Sequence, residues 1–456
     1  MKKGILALLL AVTMITALAF AGCAKEKQPE AGQEKQNDTG STSSAVSSSE
    51  KTPEEISANL RFLWPGTSEA EKKLSDDIKA AVLKQYPKVN IEFMPLVWAD
   101  IEKKLTVMVN TKDYPDMMLV QDVTNPVAMD ALEPLDSYLD DKIKAEDYID
   151  ATLDYMKVDG KLYAIPTLAI IYSHVFNTEM LNNAGLRPED LKSWDDVKAA
   201  AKAMTKDGKY GYSMANGGQG RFTFRDFMMV CLTNGISPDD VTDGSKKQYL
   251  EVLGLFNDLS DSMPKSQVTW LYPELFKAWE ANSVGMMHTG VYYSANVIAH
   301  GTSNFDRTVA MAFPKGPSVD KTQVMVGAGG VSIIKGSAQK EAAWKVVQVI
   351  MTPEILGEWA GNLGVSAKKT ITAQDTEPYV KEAYPTVYNQ HQALIGQFQK
   401  AAVDYGISMP KILGQPQMEI VVQEVMHKML NKKVTPEQAY AEIKQGIEKV
   451  KAELKQ

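Results

Sequence analysis

Residues that could do covalent chemistry are few in this 456-residue chain, and they are scattered. There is no G-x-S-x-G, no H-E-x-x-H, no Walker loop and no C-x-x-C. The five histidines, His174, His288, His300, His391 and His427, lack metal-ligand spacing, so each reads as packed or exposed rather than catalytic. Gly327 to Gly330 is glycine-rich but precedes a strand pattern instead of joining a strand to a helix. It suits close backbone approach better than phosphate cradling. The two cysteines are Cys23 and Cys231, which exclude a disulfide framework, and Cys231 inside FMMVCLTNG reads as a small buried hydrophobe. Carboxylate pairs of the kind that hydrolyse glycosides occur in any acidic chain and decide nothing. What remains is a set of flat aromatic rings and planar polar side chains, suited to holding a solute. No catalytic residue, metal or cofactor is expected.

Composition bounds the class. Hydrophobic residues make up 44% and charged residues 23%, ordinary for a globular protein, and the length suits two or three domains. The formal net charge is −8; removal of the first 22 residues, which hold Lys2 and Lys3 and no acid, takes it to −10. An acidic chain without a basic stripe excludes nucleic acid as a partner.

The N-terminus carries its own signals. Met1-Lys2-Lys3 followed by GILALLLAVTMITALAF is a charged n-region and an apolar h-region, ending at Ala21-Gly22-Cys23. Small residues before a cysteine at this depth resemble the lipobox of bacterial lipoproteins, with Phe20 where leucine is usual. That resemblance implies a signal peptide over 1–22, lipidation of Cys23 and attachment to a membrane. An ordinary secretory peptide cut near Ala21 is the alternative. Residues 23–56 are polar and include STSSAVSSSE, the composition of a disordered tether with a reach of roughly 30 Å.

Beyond the tether, strands alternate with helical patterns. Leu60 to Trp64, Val89 to Met94 and Pro115 to Asp122 read as strands, with helices from Ser68 and over Trp98 to Asn110. This is the βαβ pattern, in which ligands bind at the carboxyl ends of strands, here Trp64, Met94 and the pair Gln121-Asp122. Ser68 with Glu71, Ser193 with Asp196, and Thr435 with Gln438 have capping-box spacing. Pro166 lacks an amide hydrogen, so the runs on either side of it read as two separate strands, with room for one in each of two sheets. A chain crossing between sheets is a hinge candidate. Thr352-Pro353 starts a helix expected to stop at Gly361.

Three segments carry a family resemblance: DGKLYAIP through FNTEMLNNAGL and SWDDVKAAAKAMTKDGKYGY; Gly285, Met286, Gly290 and Tyr292 in a strand-turn pattern; and GGVSIIKGSAQKEAAWKVVQVIMTPEILGEWAGNLGVSA. Over about residues 57–456 the chain resembles the extracellular solute-binding proteins of carbohydrate importers, the family of the maltose-binding protein. The resemblance implies an α/β, periplasmic-binding-protein-like fold: lobe 1 over 57–167 and 314–362, lobe 2 over 168–313 and 363–456, and a cleft between them. It implies a monomer that takes a carbohydrate and passes it to the permease subunits of an ABC transporter. Sugars need flat apolar faces for their C–H sides and planar polar groups for their hydroxyls. Trp64, Asp122, Tyr172, Trp270, Tyr292 and Trp359 are the ligand-binding candidates, with Gln121 and Asn296 weaker. Tyr292 stands where the family usually has tryptophan. Other solutes (a peptide, a polar metabolite, or ferric ion at Tyr292-Tyr293) are the alternatives, and a secreted glycoside-processing enzyme is a more distant one.

Overall fold

The computed structural model describes residues 56–66, 68–218, 220–294, 304–383 and 385–454. The expected signal peptide, Cys23 and nearly all of the tether lie outside these residues, as do Asn296 and His300.

The first βα units form as the sequence pattern implies. β1 (Ser57–Pro65) leads into α1 (Glu69–Gln85), where Ser68 Oγ accepts from the Glu71 amide and the Glu71 carboxylate accepts from the Ser68 amide. β2 (Lys88–Leu96) is followed by a 3-10 turn at Trp98–Asp100 and by α2 (Ile101–Asn110), then by β3 (Met117–Val120) and α3 (Thr124–Ala128). β1 runs parallel to both β2 and β3. Leu60, Phe62 and Leu63 of β1 and Leu74, Ile78 and Val82 of α1 are all buried in one hydrophobic core, each contributing about 1.5–3 kcal/mol relative to exposure.

After α4 (Asp150–Tyr155), the hairpin of β4 (Lys157–Val158) and β5 (Lys161–Leu162) turns at Asp159-Gly160 with φ of 50° and 77°. β6 (Ile165–Asn177) follows and corrects the expected break: it is a single strand of 13 residues. Its first part pairs with β9 (Val324–Ile333), while its second part, from Tyr172, pairs with β7 (Met286–Gly290) and β8 (Thr308–Met311). Pro166 is tolerated because the register shifts between Pro166 and Leu168, so the ladder does not need its missing donor. One strand therefore serves two sheets. β9 lies antiparallel to β3 and β6, β10 (Val365–Ser366) borders β6, and β11 (Gly406–Ser408) runs parallel to β9. β7, β8, β9, β10 and β11 thus gather around β6 where it changes partners.

The remaining helices cover these sheets: α5 (Thr178–Asn183), α6 (Trp194–Met204), α7 (Arg221–Thr233), α8 (Lys246–Leu259), α9 (Tyr272–Glu280), α10 (Lys340–Ile350), α11 (Pro353–Leu363), α12 (Ala373–Ala383), α13 (Tyr388–Tyr405), α14 (Gln415–Leu430) and α15 (Pro436–Glu453). The capping boxes at Ser193 and Thr435 both form. α11 runs past Gly361 to its cap at Gly364, whose φ of 143° suits only glycine. α7 is buried from Thr223 to Thr233, Cys231 included, and takes Arg225 and Asp226 into the interior with it.

Candidate functional site

The carboxyl end of β3 faces the N-terminal turns of α7 and α14 across a cavity of about 170 Å3. Trp98, Glu102, Gln121, Asp122 and Tyr155 line it from one side; Arg221, Arg225 and Glu419 line it from the other. Asp122 is the second residue past β3, and its Oδ1 accepts from the Thr124 amide at 2.7 Å, which fixes the carboxylate at the turn into α3. Trp98 lies just past the carboxyl end of β2, and Glu102 stands one helical turn beyond it.

The opposite wall depends on one glycine. Gly220 has φ of 90°, and a Cβ there would sit 2.4 Å from the backbone of Glu419. Only glycine lets the first turn of α7 meet α14 this closely. The loop before it is tied to the same helix, because Gln423 Nε2 and His427 Nε2 both donate to the Asn216 carbonyl at 2.8 Å. Arg221 and Arg225 thereby stand on successive turns facing the cavity. Arg221 Nη2 donates to Gln121 Oε1 across it, and the Arg225 guanidinium lies 5.0 Å over the Tyr172 ring.

The charges are crowded. Burial, helped by the Asp122 charge and opposed by Arg221, pushes the Glu102 carboxyl up to about 7. Burial raises Asp122 against its bonds from Thr124, and raises Glu419 against the pull of Arg221. Tyr155 is fully buried, and its hydroxyl has no hydrogen-bond partner among the described residues. The cavity therefore offers carboxyls, guanidiniums, an amide and a phenol around one indole face. This set can hold a small polyhydroxy or zwitterionic solute by many hydrogen bonds. Among the described residues no group of three His, Cys, Asp or Glu could hold a metal ion.

The candidates from sequence distribute unevenly around this cavity. Asp122 and the weaker candidate Gln121 line it. Tyr172 lies behind Arg225 and meets Tyr292 edge to face at 6.2 Å, with Tyr272 5.5 Å beyond. Trp270 is half-buried and packs with Phe222 and Tyr272 on the second hydrophobic cluster, its carbonyl accepting from Gly217. Trp64 and Trp359 do not line the cavity. They pack on one another at 5.4 Å inside the first core, where Trp64 also meets Phe62 and Phe93 edge-on and donates Nε1–H to the Glu71 carbonyl. Their apolar faces are already covered by each other.

Sequence reasoning missed Trp98, Glu102, Arg221, Arg225 and Glu419. One signal was available. α7 reads RFTFRDFMMVCLT, and two arginines four apart in an otherwise apolar helix mark a face turned towards something polar. The histidines hold a second surprise: His174 and His288 meet across β6 and β7, with Tyr212 Oη between them at 3.3 Å from His174 Nε2 and 2.7 Å from His288 Nδ1.

Two α/β lobes sharing a multi-strand hinge, with a polar cleft between them, define the periplasmic-binding-protein-like fold. The sequence agrees: residues 67–355 match the profile of the bacterial extracellular solute-binding proteins, and the chain belongs to that family. It is 26% identical, over 296 residues spanning 63% of this chain and 71% of the relative, to a Brucella abortus protein named only for binding. It is 24% identical over 311 residues, 66% of this chain and 68% of the relative, to a Sinorhizobium fredii protein named as a probable amino-acid ABC transporter periplasmic-binding protein. Among solved structures, a chitin oligosaccharide binding protein superposes with a TM-score of 0.70 at 18% identity, covering 87% of this chain and 99% of that one. The GacH receptor of Streptomyces glaucescens, studied with acarbose, superposes with a TM-score of 0.68 at 19% identity and the same coverage.

Proposed function

We propose that this protein is an extracytoplasmic lipoprotein, anchored through Cys23, that captures a carbohydrate by lobe closure and delivers it to the permease subunits of an ABC importer. The observation that carries this reading is the cavity itself. Its polar lining comes from both halves of the chain, and Arg221 reaches Gln121 across it. In the lobes we assign, 57–167 with 314–362 and 168–313 with 363–456, Asp122 and Glu102 belong to the first lobe and Arg221 and Glu419 to the second. A solute between them gains its full set of bonds only when the lobes are shut, which makes closure the binding event. The sugars named for structural relatives support a carbohydrate. Asp122 contacts the ligand directly, Tyr172 and Tyr292 brace Arg225 from behind, and Trp270 stays at the margin. The protein works as a monomer and carries out no reaction on its solute.

A second reading has its own support. Mixed carboxyls and guanidiniums would also hold an amino acid or another charged metabolite, and one relative is named for amino-acid transport. A thermal-shift screen against sugars, amino acids, peptides and ferric citrate separates the readings. A ligand at 100 times its Kd adds about 2.7 kcal/mol and moves the midpoint by a few degrees. A shift with sugars alone supports the first reading, and a shift confined to amino acids, peptides or iron overturns its substrate.

A further inference from the structure

An oligosaccharide needs cover for every ring it buries, and stacking aromatics are the usual cover. In this cleft they are nearly absent. Of the described residues lining the cavity only Trp98 and Tyr155 are aromatic, and Tyr155 is fully buried, leaving Trp98 as the one half-exposed flat face. Gln219 and residues 295–303, the undescribed residues nearest in sequence to α7 and Tyr292, contain no Phe, Tyr or Trp. Trp64 and Trp359, the large rings that could have extended a platform, are used up on each other in the core. The cavity's 170 Å3 also falls below the roughly 300–1,000 Å3 typical of sites for larger organic ligands. Two ties hold its walls together: Arg221 bonds Gln121 across the cavity, and the Gly414 amide donates to Asn125 Oδ1 at 3.2 Å. A chain running out of the cavity would have to break such ties.

Building on the carbohydrate reading, we propose that the cavity takes a single sugar ring, its C–H face on Trp98 and its hydroxyls on Glu102, Asp122 and Arg221, and turns away chains of three rings or more. Trp98 is then the residue that sets specificity. It stands one helical turn before Glu102, so one short segment presents both the apolar face and a hydrogen-bonding carboxyl to the same ring.

Isothermal titration of the protein with aldohexoses, aldopentoses and hexosamines, and with the tri- and tetrasaccharides built from them, tests this. The expected result is measurable affinity for a monosaccharide and at least about tenfold weaker binding of its trisaccharide. Trp98→Ala should weaken monosaccharide binding at least about tenfold while Trp98→Phe keeps most of it. Should the alanine variant fail to fold, Trp98→Leu, which fills the space without a flat face, should lose affinity in the same way. A trisaccharide or tetrasaccharide that binds as tightly as its monosaccharide overturns the single-ring inference and leaves the carbohydrate reading standing. Unchanged monosaccharide binding in a folded Trp98→Leu protein also overturns it. Binding of no carbohydrate at all overturns both.

Discussion

At the scale of single residues, side chains that look alike in sequence separate by what already covers them. Asp122 presents a carboxyl to the cavity, whereas Trp359 spends its ring on Trp64. A hydrogen bond to a charged group is worth about 1.5–3 kcal/mol, so Asp122→Ala should weaken ligand binding by roughly 10- to 100-fold with little change in unliganded stability. Trp359→Leu should do the reverse: affinity unchanged, stability down by about 1–3 kcal/mol as the Trp64 ring loses its neighbour. Calorimetric titration and denaturant unfolding of both variants read the contrast, and a matched loss of affinity in Trp359→Leu would place that ring at the ligand. Glu102 makes a pH prediction. Its carboxyl is raised to about 7 in the folded protein, while in the unfolded chain it titrates near the ordinary carboxylate value. Folding therefore binds a proton between these values, and the stability this group allows is lost as pH rises through that window. Glu102→Gln, which cannot ionise, should gain on the wild type between about pH 4.5 and 7, by about 1–3 kcal/mol at the upper end. Superimposable stability curves for the two proteins would mean that Glu102 is solvated.

Elements carry two predictions, one for a helix start and one for a strand pair. Gly220→Ala puts a Cβ 2.4 Å from the Glu419 backbone at a positive φ, so α7 must shift off α14. The expected cost is about 1–3 kcal/mol of stability together with a loss of ligand affinity, because Arg221 and Arg225 move with the helix. Gly327→Ala is the control. Its added Cβ meets only ordinary contacts at 3.6 Å, so stability should hold or rise slightly. The strand pair holds His174 and His288, both fully buried, and burial depresses both below the usual imidazole range. The groups facing them are each other, Tyr212 and the rings of Phe176 and Phe313, with the buried Asp226 carboxyl beyond Tyr212. The unfolded chain takes up protons below about pH 6.5 and the folded one resists, so the stability contributed by the neutral rings is present above that pH and lost on acidification. In His288→Gln the acid limb of the stability curve should be shallower than in the wild type by up to about 1.4 kcal/mol per pH unit. Identical limbs would show that His288 is not the titrating group. These features also mark what a sequence can convey. The helix starts at Ser68, Ser193 and Thr435 were legible because a capping box is written within four residues. The continuity of β6 through Pro166 was not, since it depends on a register shift against β9, which lies more than 150 residues away. Asp122 was legible as a strand end in a βαβ unit. Glu419 and Arg221 were not, because nothing local says that α14 and α7 meet over that strand end.

For the whole molecule the decisive feature is that β6 belongs to two sheets at once. Its pairing passes from β9 to β7 and β8 between Ile171 and Tyr172, and β10 and β11 join the same region, so the two halves are linked by several short backbone stretches rather than one flexible linker. Such a hinge permits rotation and resists separation. In the closure we propose, a ligand held first by Asp122, Glu102 and Trp98 would gain Arg221 and Glu419 only by pulling the second half towards it, and the free energy of closure is bounded by those added contacts. Small-angle scattering with the cognate ligand should therefore show a smaller radius of gyration at saturation than in its absence. In Arg221→Ala the ligand should still bind, more weakly, yet at matched saturation the compaction should be reduced or lost, because the second half has less to gain by closing. Full compaction in that variant would mean that closure is driven by contacts other than Arg221, and the wall formed by α14 through Glu419 would then be the surface that pulls the halves together.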